Sequence, residues 1–210
     1  MFPPLYAILD PDVANISLPQ LAEELAGAGV GLIQLRDKRS PARRVYAQAK
    51  ELAGILAPRG VRFILNDRPD IAAIAGASGV HVGQEDLPVE EARKLCPSPL
   101  WVGVSTHNLE QLREAARTSA DYIAVGPIFP TATKEHPDPV VGIEFLRAAR
   151  AVTPKPLVAI GGITLESAAE VYAAGADSLA VIRDLIAARD PSRRAREYLA
   201  VAERARSRRV

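Results

Sequence analysis

AGAGVGLIQLR, residues 26–36, holds a helix end, a glycine turn and an apolar run in eleven consecutive positions. The phrase returns at residues 173–183 as AAGADSLAVIR, with the same three parts in the same order. Searching outward for the run alone finds LYAIL from Leu5, RFILN from Arg62, GVHVG from Gly79, WVGVS from Trp101, YIAVG from Tyr122 and PLVAIG from Pro156. With LIQLR from Leu32 and SLAVI from Ser178 there are eight such runs. They are apolar throughout rather than strictly alternating, which suits strands buried on both faces of a parallel sheet. Stretches with helical spacing separate them. Leu18, Leu21, Ala22 and Leu25 make one apolar stripe, and Val45, Ala49, Leu52 and Leu56 another. Ser17, Ser40, Asn108 and Thr164 stand where helix N-caps are expected, with Pro41 in a first turn, and Gly27, Gly29 and Gly175 follow helical segments as C-terminal caps do.

Strand–helix–strand units need right-handed crossovers, and eight in series close into a barrel. The expected architecture is therefore α/β, a single (β/α)8 TIM barrel occupying residues 1–210 as one catalytic domain. An open, doubly wound sheet competes, but the first strand lacks the G-x-G-x-x-G turn of a dinucleotide-binding fold. At 210 residues the chain suits one large domain, and 48% apolar with 24% charged residues is enough to bury a core.

The charges nearly cancel, 26 basic against 25 acidic, so no global field recruits nucleic acid or an anionic membrane. No apolar run reaches the ~20 residues that span a bilayer. The opening MFPPLYAILD reads as a loop and a strand, without the basic flank and cleavage pattern of a signal peptide. The lone Cys96 fits a reducing compartment and packing at a helix end. Together these imply a cytoplasmic protein whose partners are small molecules, with assembly into a homo-oligomer left open. The arginine-rich segment from Arg193 to Arg209 reads as a solvated final helix and tail.

In such a barrel the chemistry lies where strands end and βα loops begin. Polar residues gather there: Gln34, Arg36, Asp37 and Lys38; Asn66 and Asp67; Gln84 and Asp86; Ser105, Thr106 and His107; Thr131, Thr133 and Lys134; Ile182 with Arg183. Asp67 and Asp86 could each cap a helix. Neighbouring strands are ~4.8 Å apart, however, so the two carboxylates can converge on one ion. Oxygen ligation with few protein donors suits Mg2+, which keeps waters and takes substrate phosphates. The histidines lack zinc spacing, and His81 and His107 read as structural. Arg36 and Lys38, two apart on extended chain, should face the same way, and Gln34 joins them. Gly161 and Gly162 would let backbone approach a ligand, and the helix after Thr164 would offer free N–H groups to a phosphate. Residues 127–142 form a long irregular loop of the kind that serves binding. Two anion sites and a metal in one mouth imply two phosphorylated substrates.

QLRDK (34–38), NDRPD (66–70), HVGQEDL (81–87), VGVSTH (102–107), GPIFPTATK (126–134) and AIGGIT (159–164) together resemble the thiamine-phosphate synthase family, in the family's order and over essentially the whole chain. The resemblance implies a transferase that joins a hydroxymethylpyrimidine diphosphate to a thiazole phosphate, releasing pyrophosphate. It implies that Gln34, Leu35, Arg36, Asp37 and Lys38, with Asn66, Ser105 and Lys134, hold the pyrimidine diphosphate. Arg36, Lys38, Ser105 and Lys134 would form the catalytic set, Asp67 and Asp86 would bind Mg2+, and Thr131, Ala132, Thr133, Gly162, Ile182 and Arg183 would hold the thiazole phosphate. The chain departs from the family pattern at Arg68, where an acidic or small polar residue is common, and at Arg183, where serine is common. Two rivals share the fold. A thiazole tautomerase-like branch carries a histidine where this chain has Pro127, and a non-catalytic phosphate-binding regulator would not require Arg36, Lys38, Asp67, Asp86 and Lys134 together.

Overall fold

The computed structural model describes residues 1–131 and 138–207. Eight parallel strands close into a barrel in chain order: β1 (Leu5–Leu9), β2 (Leu32–Leu35), β3 (Arg62–Asn66), β4 (Gly79–Val82), β5 (Trp101–Thr106), β6 (Tyr122–Val125), β7 (Leu157–Ile160) and β8 (Ser178–Val181). The seam between first and last strands pairs Leu5 with Leu179 and Ala7 with Val181. The connecting helices are α1 (Leu18–Gly27), α2 (Ala42–Leu56), α3 (Pro69–Ala75), α4 (Val89–Leu95), α5 (Leu109–Arg117), α6 (Gly142–Val152) and α7 (Leu165–Ala173). After β8 come a single turn, α8 (Arg183–Ile186), and the long α9 (Pro191–Ser207). Among the described residues no helix is long and apolar enough to cross a membrane.

Strand side chains alternate between two faces, and here both are apolar. Leu5, Ala7 and Leu9 of β1 join Ile33 and Leu35 of β2 in the shell beneath the helices. Tyr6, Ile8, Leu32, Ile64, Tyr122, Ala124, Val158 and Ala180 fill the lumen. Apolar residues on both faces are why the strands read as continuous runs. The expected stripes are the buried faces of α1 and α2.

Several local expectations hold. Ser17 Oγ accepts from Gln20 N, Asn108 Oδ1 accepts from Gln111 N, and Thr164 forms a capping box with Ser167. Others do not. Pro41, not Ser40, occupies the α2 cap, because Asp37 Oδ1 draws in the Arg39 and Ser40 amides and tightens the preceding turn. Gly27 lies inside α1, with Ala28 at the cap and the left-handed φ of +96° falling on Gly29. The arginine-rich end is also more than a solvated face. Arg194 pairs with Asp184, and Arg206 Nη2 donates to the carbonyls of Phe2 and Asp177, bracing the barrel floor.

Gly103 gives the lumen its shape. A Cβ there would coincide with ring atoms of Tyr122, so this strand position must be glycine for the phenol to lie across the barrel. Gly103→Ala is expected to cost about 3 kcal/mol of stability through overpacking, read as a lower urea midpoint.

Candidate active site

The inward alternation continues past the strand ends: Ile8 leads to Asp10, and Gln34 leads to Arg36. The barrel thus delivers polar groups to its C-terminal mouth. Asp10 was not anticipated from the sequence, although a carboxylate directly after a strand is the signal that singled out the others. It is 3% exposed, and its Oδ2 lies 2.6 Å from Arg36 Nη1. Lys38 Nζ turns the other way and lies 3.0 Å from Asp67 Oδ2. The expected common direction of Arg36 and Lys38 is therefore corrected. The strand has ended at Leu35, and the two cations diverge to the acids beyond the two flanking strands, while both remain at the mouth.

Asp67 and Asp86 do meet. Neither caps its helix: Arg68 holds the cap position of α3 and Pro88 that of α4. Asp67 takes a left-handed backbone (φ 60°) while its N–H donates to the His81 carbonyl at 2.8 Å. That kink breaks the strand alternation and brings the Asp67 carboxyl within hydrogen-bond reach of Asp86. Asp86 Oδ2 is steadied by the Gly83 amide at 2.7 Å. Burial, reinforced by the Asp86 carboxyl, pushes the Asp67 pKa up to about 6, with Lys38 opposing. Of the two facing carboxylates only Asp67 pairs with the Lys38 ammonium, and the repulsion between the two acids is what a further cation would relieve. Among the described residues no group of three or more His, Cys, Asp or Glu side chains converges as a metal site. The available donor set is this oxygen pair, which fits Mg2+ rather than zinc.

Beneath the mouth runs a file of hydrogen bonds that sequence reasoning missed. Gln34 Nε2 donates to Tyr6 Oη at 2.6 Å; Tyr6 Oη and Tyr122 Oη are 2.9 Å apart; Tyr122 Oη is 3.0 Å from His81 Nδ1; His81 Nε2 is 2.9 Å from Ser105 Oγ. Burial raises the pKa of both phenols well above the ordinary tyrosine range, so both carry their protons. His81 is structural in the sense expected, but its contacts lead to Ser105. Tyr6 and Tyr122 were legible only as apolar-strand members, because the run in which each sits conceals which face it takes. Ser105 also presents its carbonyl to Gln84 Nε2 at 2.6 Å. His107 is fastened to the Gly126 carbonyl at 2.6 Å, as a structural histidine should be. Cys96 is buried with its thiol toward the Pro69 carbonyl, and burial raises its pKa.

Other expected site residues fall as follows. The Leu35 side chain packs in the shell, so only its backbone faces the mouth region. Asp37 Oδ1 accepts from the Arg39 and Ser40 amides of its own turn. Asn66 ends β3 beside the acidic pair. Gly161 (φ 99°) and Gly162 (φ 63°) are left-handed, but what presses on them is the chain itself. A Cβ on Gly161 would lie 2.5 Å from Pro127 Cα, and one on Gly162 would lie 2.8 Å from Phe129 Cβ. Their glycine character thus serves loop packing. The first amides of α7 are not all free. Thr164 N, just ahead of the helix, donates to Ser167 Oγ while Ser167 N returns to the Thr164 side chain, and Leu165 N donates to Asp184 Oδ2, so part of what the sequence appeared to offer a phosphate is already engaged. Ile182 precedes the single turn of α8, and Arg183 is exposed at its start. Thr131 is described; Ala132, Thr133 and Lys134 lie outside the described residues. The described ends of that long loop are secured, Ile128 N to the Ile160 carbonyl and Val141 N to the Pro127 carbonyl.

A barrel mouth with paired acids and flanking cations admits many phosphate chemistries, and comparison narrows them. The family model described as thiamine monophosphate synthase matches residues 5–185. The chain belongs to that family. A thiamine-phosphate synthase of Koribacter versatilis is 50% identical over 204 residues, covering 95% of both chains. One from Methanospirillum hungatei is 44% identical over 195 residues, covering 92% of this chain and 95% of its own. Among solved structures, a thiamine phosphate pyrophosphorylase from Pyrococcus furiosus superposes with a TM-score of 0.87 at 33% identity, covering 96% of each chain. The family resemblance drawn from the motifs and the barrel drawn from the eight runs are both borne out.

Proposed function

We propose that the chain is a thiamine-phosphate synthase, a transferase that moves a pyrimidinylmethyl group from diphosphate to the nitrogen of a thiazole phosphate. The observation that carries the reading is the convergence of Asp67 and Asp86, with Lys38 on Asp67 and Arg36 at the same mouth. Asp67 and Asp86 would hold Mg2+. Bound there, the ion would supply charge neutralisation to the departing diphosphate.

The aminopyrimidine ring can delocalise the positive charge that develops as its carbon–oxygen bond breaks, so the protein needs no nucleophile of its own. Its work is electrostatic and positional. Arg36, Lys38 and Lys134 would meet the diphosphate oxygens, and Ser105 and Asn66 would add hydrogen bonds. Thr131, Thr133, Gly162, Ile182 and Arg183 would hold the thiazole phosphate from the other side of the mouth. Because Leu165 N and Ser167 N are engaged within the protein, that grip would fall to the backbone at Gly162, to the loop after β8 and to side chains. The tautomerase-like alternative is not favoured: the base it needs would stand at Pro127, which has no titratable side chain.

Purified protein incubated with Mg2+, the pyrimidine diphosphate and the thiazole phosphate is expected to release pyrophosphate and form thiamine monophosphate. Folded protein that binds both substrates without forming product would assign the chain to the phosphate-binding class instead.

A further inference from the structure

The file from Gln34 to Ser105 has a direction. Every link needs one donor and one acceptor, and an amide nitrogen can only donate. Gln34 Nε2 gives its hydrogen to Tyr6 Oη. Tyr6 is 1% exposed, and its remaining neighbour is Tyr122 Oη, so its own hydrogen must go there or lie buried without an acceptor. Tyr122, fully buried, must then donate to His81 Nδ1. A neutral imidazole that accepts at Nδ1 carries its hydrogen on Nε2, 2.9 Å from Ser105 Oγ. The serine oxygen becomes an acceptor from below, and its own O–H is left to point into the mouth. Reversing the first link would reverse every other and aim the serine hydrogen down at the histidine.

We propose that Gln34, Tyr6, Tyr122 and His81 are positioning residues that hold the Ser105 hydroxyl as a donor toward the anion in the mouth, with Gln34 setting the direction. The proposal rests on the reading of Ser105 as a diphosphate contact. On this proposal Gln34 acts through three intermediaries, in place of the direct substrate contact that the resemblance implies. Gly103 belongs to the same device, since its missing Cβ admits the Tyr122 ring. The stagger of neighbouring strands accounts for the linkage: His81 pairs with Gly103 in register and Gly103 with Tyr122, placing three consecutive strands' residues around one ring.

The test is the tautomer of His81, read from its ring 15N shifts in the whole protein at a pH where the ring is neutral. The wild type should show a single Nε2–H tautomer. Gln34→Met, which keeps the volume and removes the donor, should give a mixture of tautomers and lower kcat about tenfold. Tyr122→Phe keeps the ring and severs the file; in that background Gln34→Met should cost no further activity. An Nδ1–H wild type, a tautomer unmoved by Gln34→Met, or additive losses in the double variant would each overturn the proposal. Additive losses would point to direct contact between Gln34 and substrate. The tautomer measurement needs no substrate, so it decides the direction of the file even if the reaction assay fails.

Discussion

Asp86→Asn is expected to leave a folded protein whose turnover falls about 10³-fold and whose melting temperature no longer responds to Mg2+. The asparagine oxygen can still accept from Gly83 N, so the local hydrogen bond survives while one of two facing negative charges is gone. Relief of that repulsion should keep the metal-free variant at least as stable as the parent. In the parent, Mg2+ should raise the melting temperature by binding only the native pair. The two curves, with and without magnesium, together with the initial rate, separate the roles. Parallel loss of stability and activity would mean that Asp86 matters as a brace for Gly83. An Mg2+ response that persists in Asp86→Asn would move the ion elsewhere.

The second large effect concerns Arg36 and falls on the fold as well as the chemistry. Its partner Asp10 is 3% exposed, and Asp10 Oδ1 already accepts from Asp12 N. Arg36→Ala would strand a buried carboxylate, for which a loss of about 3 kcal/mol is expected, read as a lower denaturant midpoint at unchanged slope. Adding Asp10→Asn should recover much of that stability without recovering activity. The contrast matters because a cation assigned only to substrate would show a kinetic defect in a normally stable protein. Lys38, half exposed against Asp67, should behave in that second way.

The fold was readable because each strand is announced twice, by an apolar run and by the glycine turn before or the polar cluster after it. In residues 26–36 and 173–183 all of these signs coincide. The mouth was readable for a related reason: Asp67, Asp86, Arg36 and Lys38 are charged groups adjoining apolar runs, where solvation alone does not explain them. What escaped notice was any contact fixed by the partner rather than by the chain's own pattern. Nothing local to Asp10 says that Arg36 will cross to it, and nothing in GVHVG says that His81 will face Tyr122 across a glycine on the intervening strand. The amides of α7 misled in part because the Thr164 cap was read without its reciprocal partner, Ser167. Thr164 and Ser167 were visible, and their spacing implied that the helix would satisfy itself.

The join between β1 and β8 has a bearing on how the chain is made. β1 must wait for β8, seven strands later, since Leu5 finds its neighbour across the seam in Leu179, and the Phe2 carbonyl must wait for Arg206. Until then the nascent polypeptide on the ribosome carries two open sheet edges, the outer margin of β1 and the advancing margin of whichever strand has just emerged. Emergence of β8 is thus the event that removes the sticky borders, and a chain arrested before it would present chaperones with a nearly whole but unsealed cylinder.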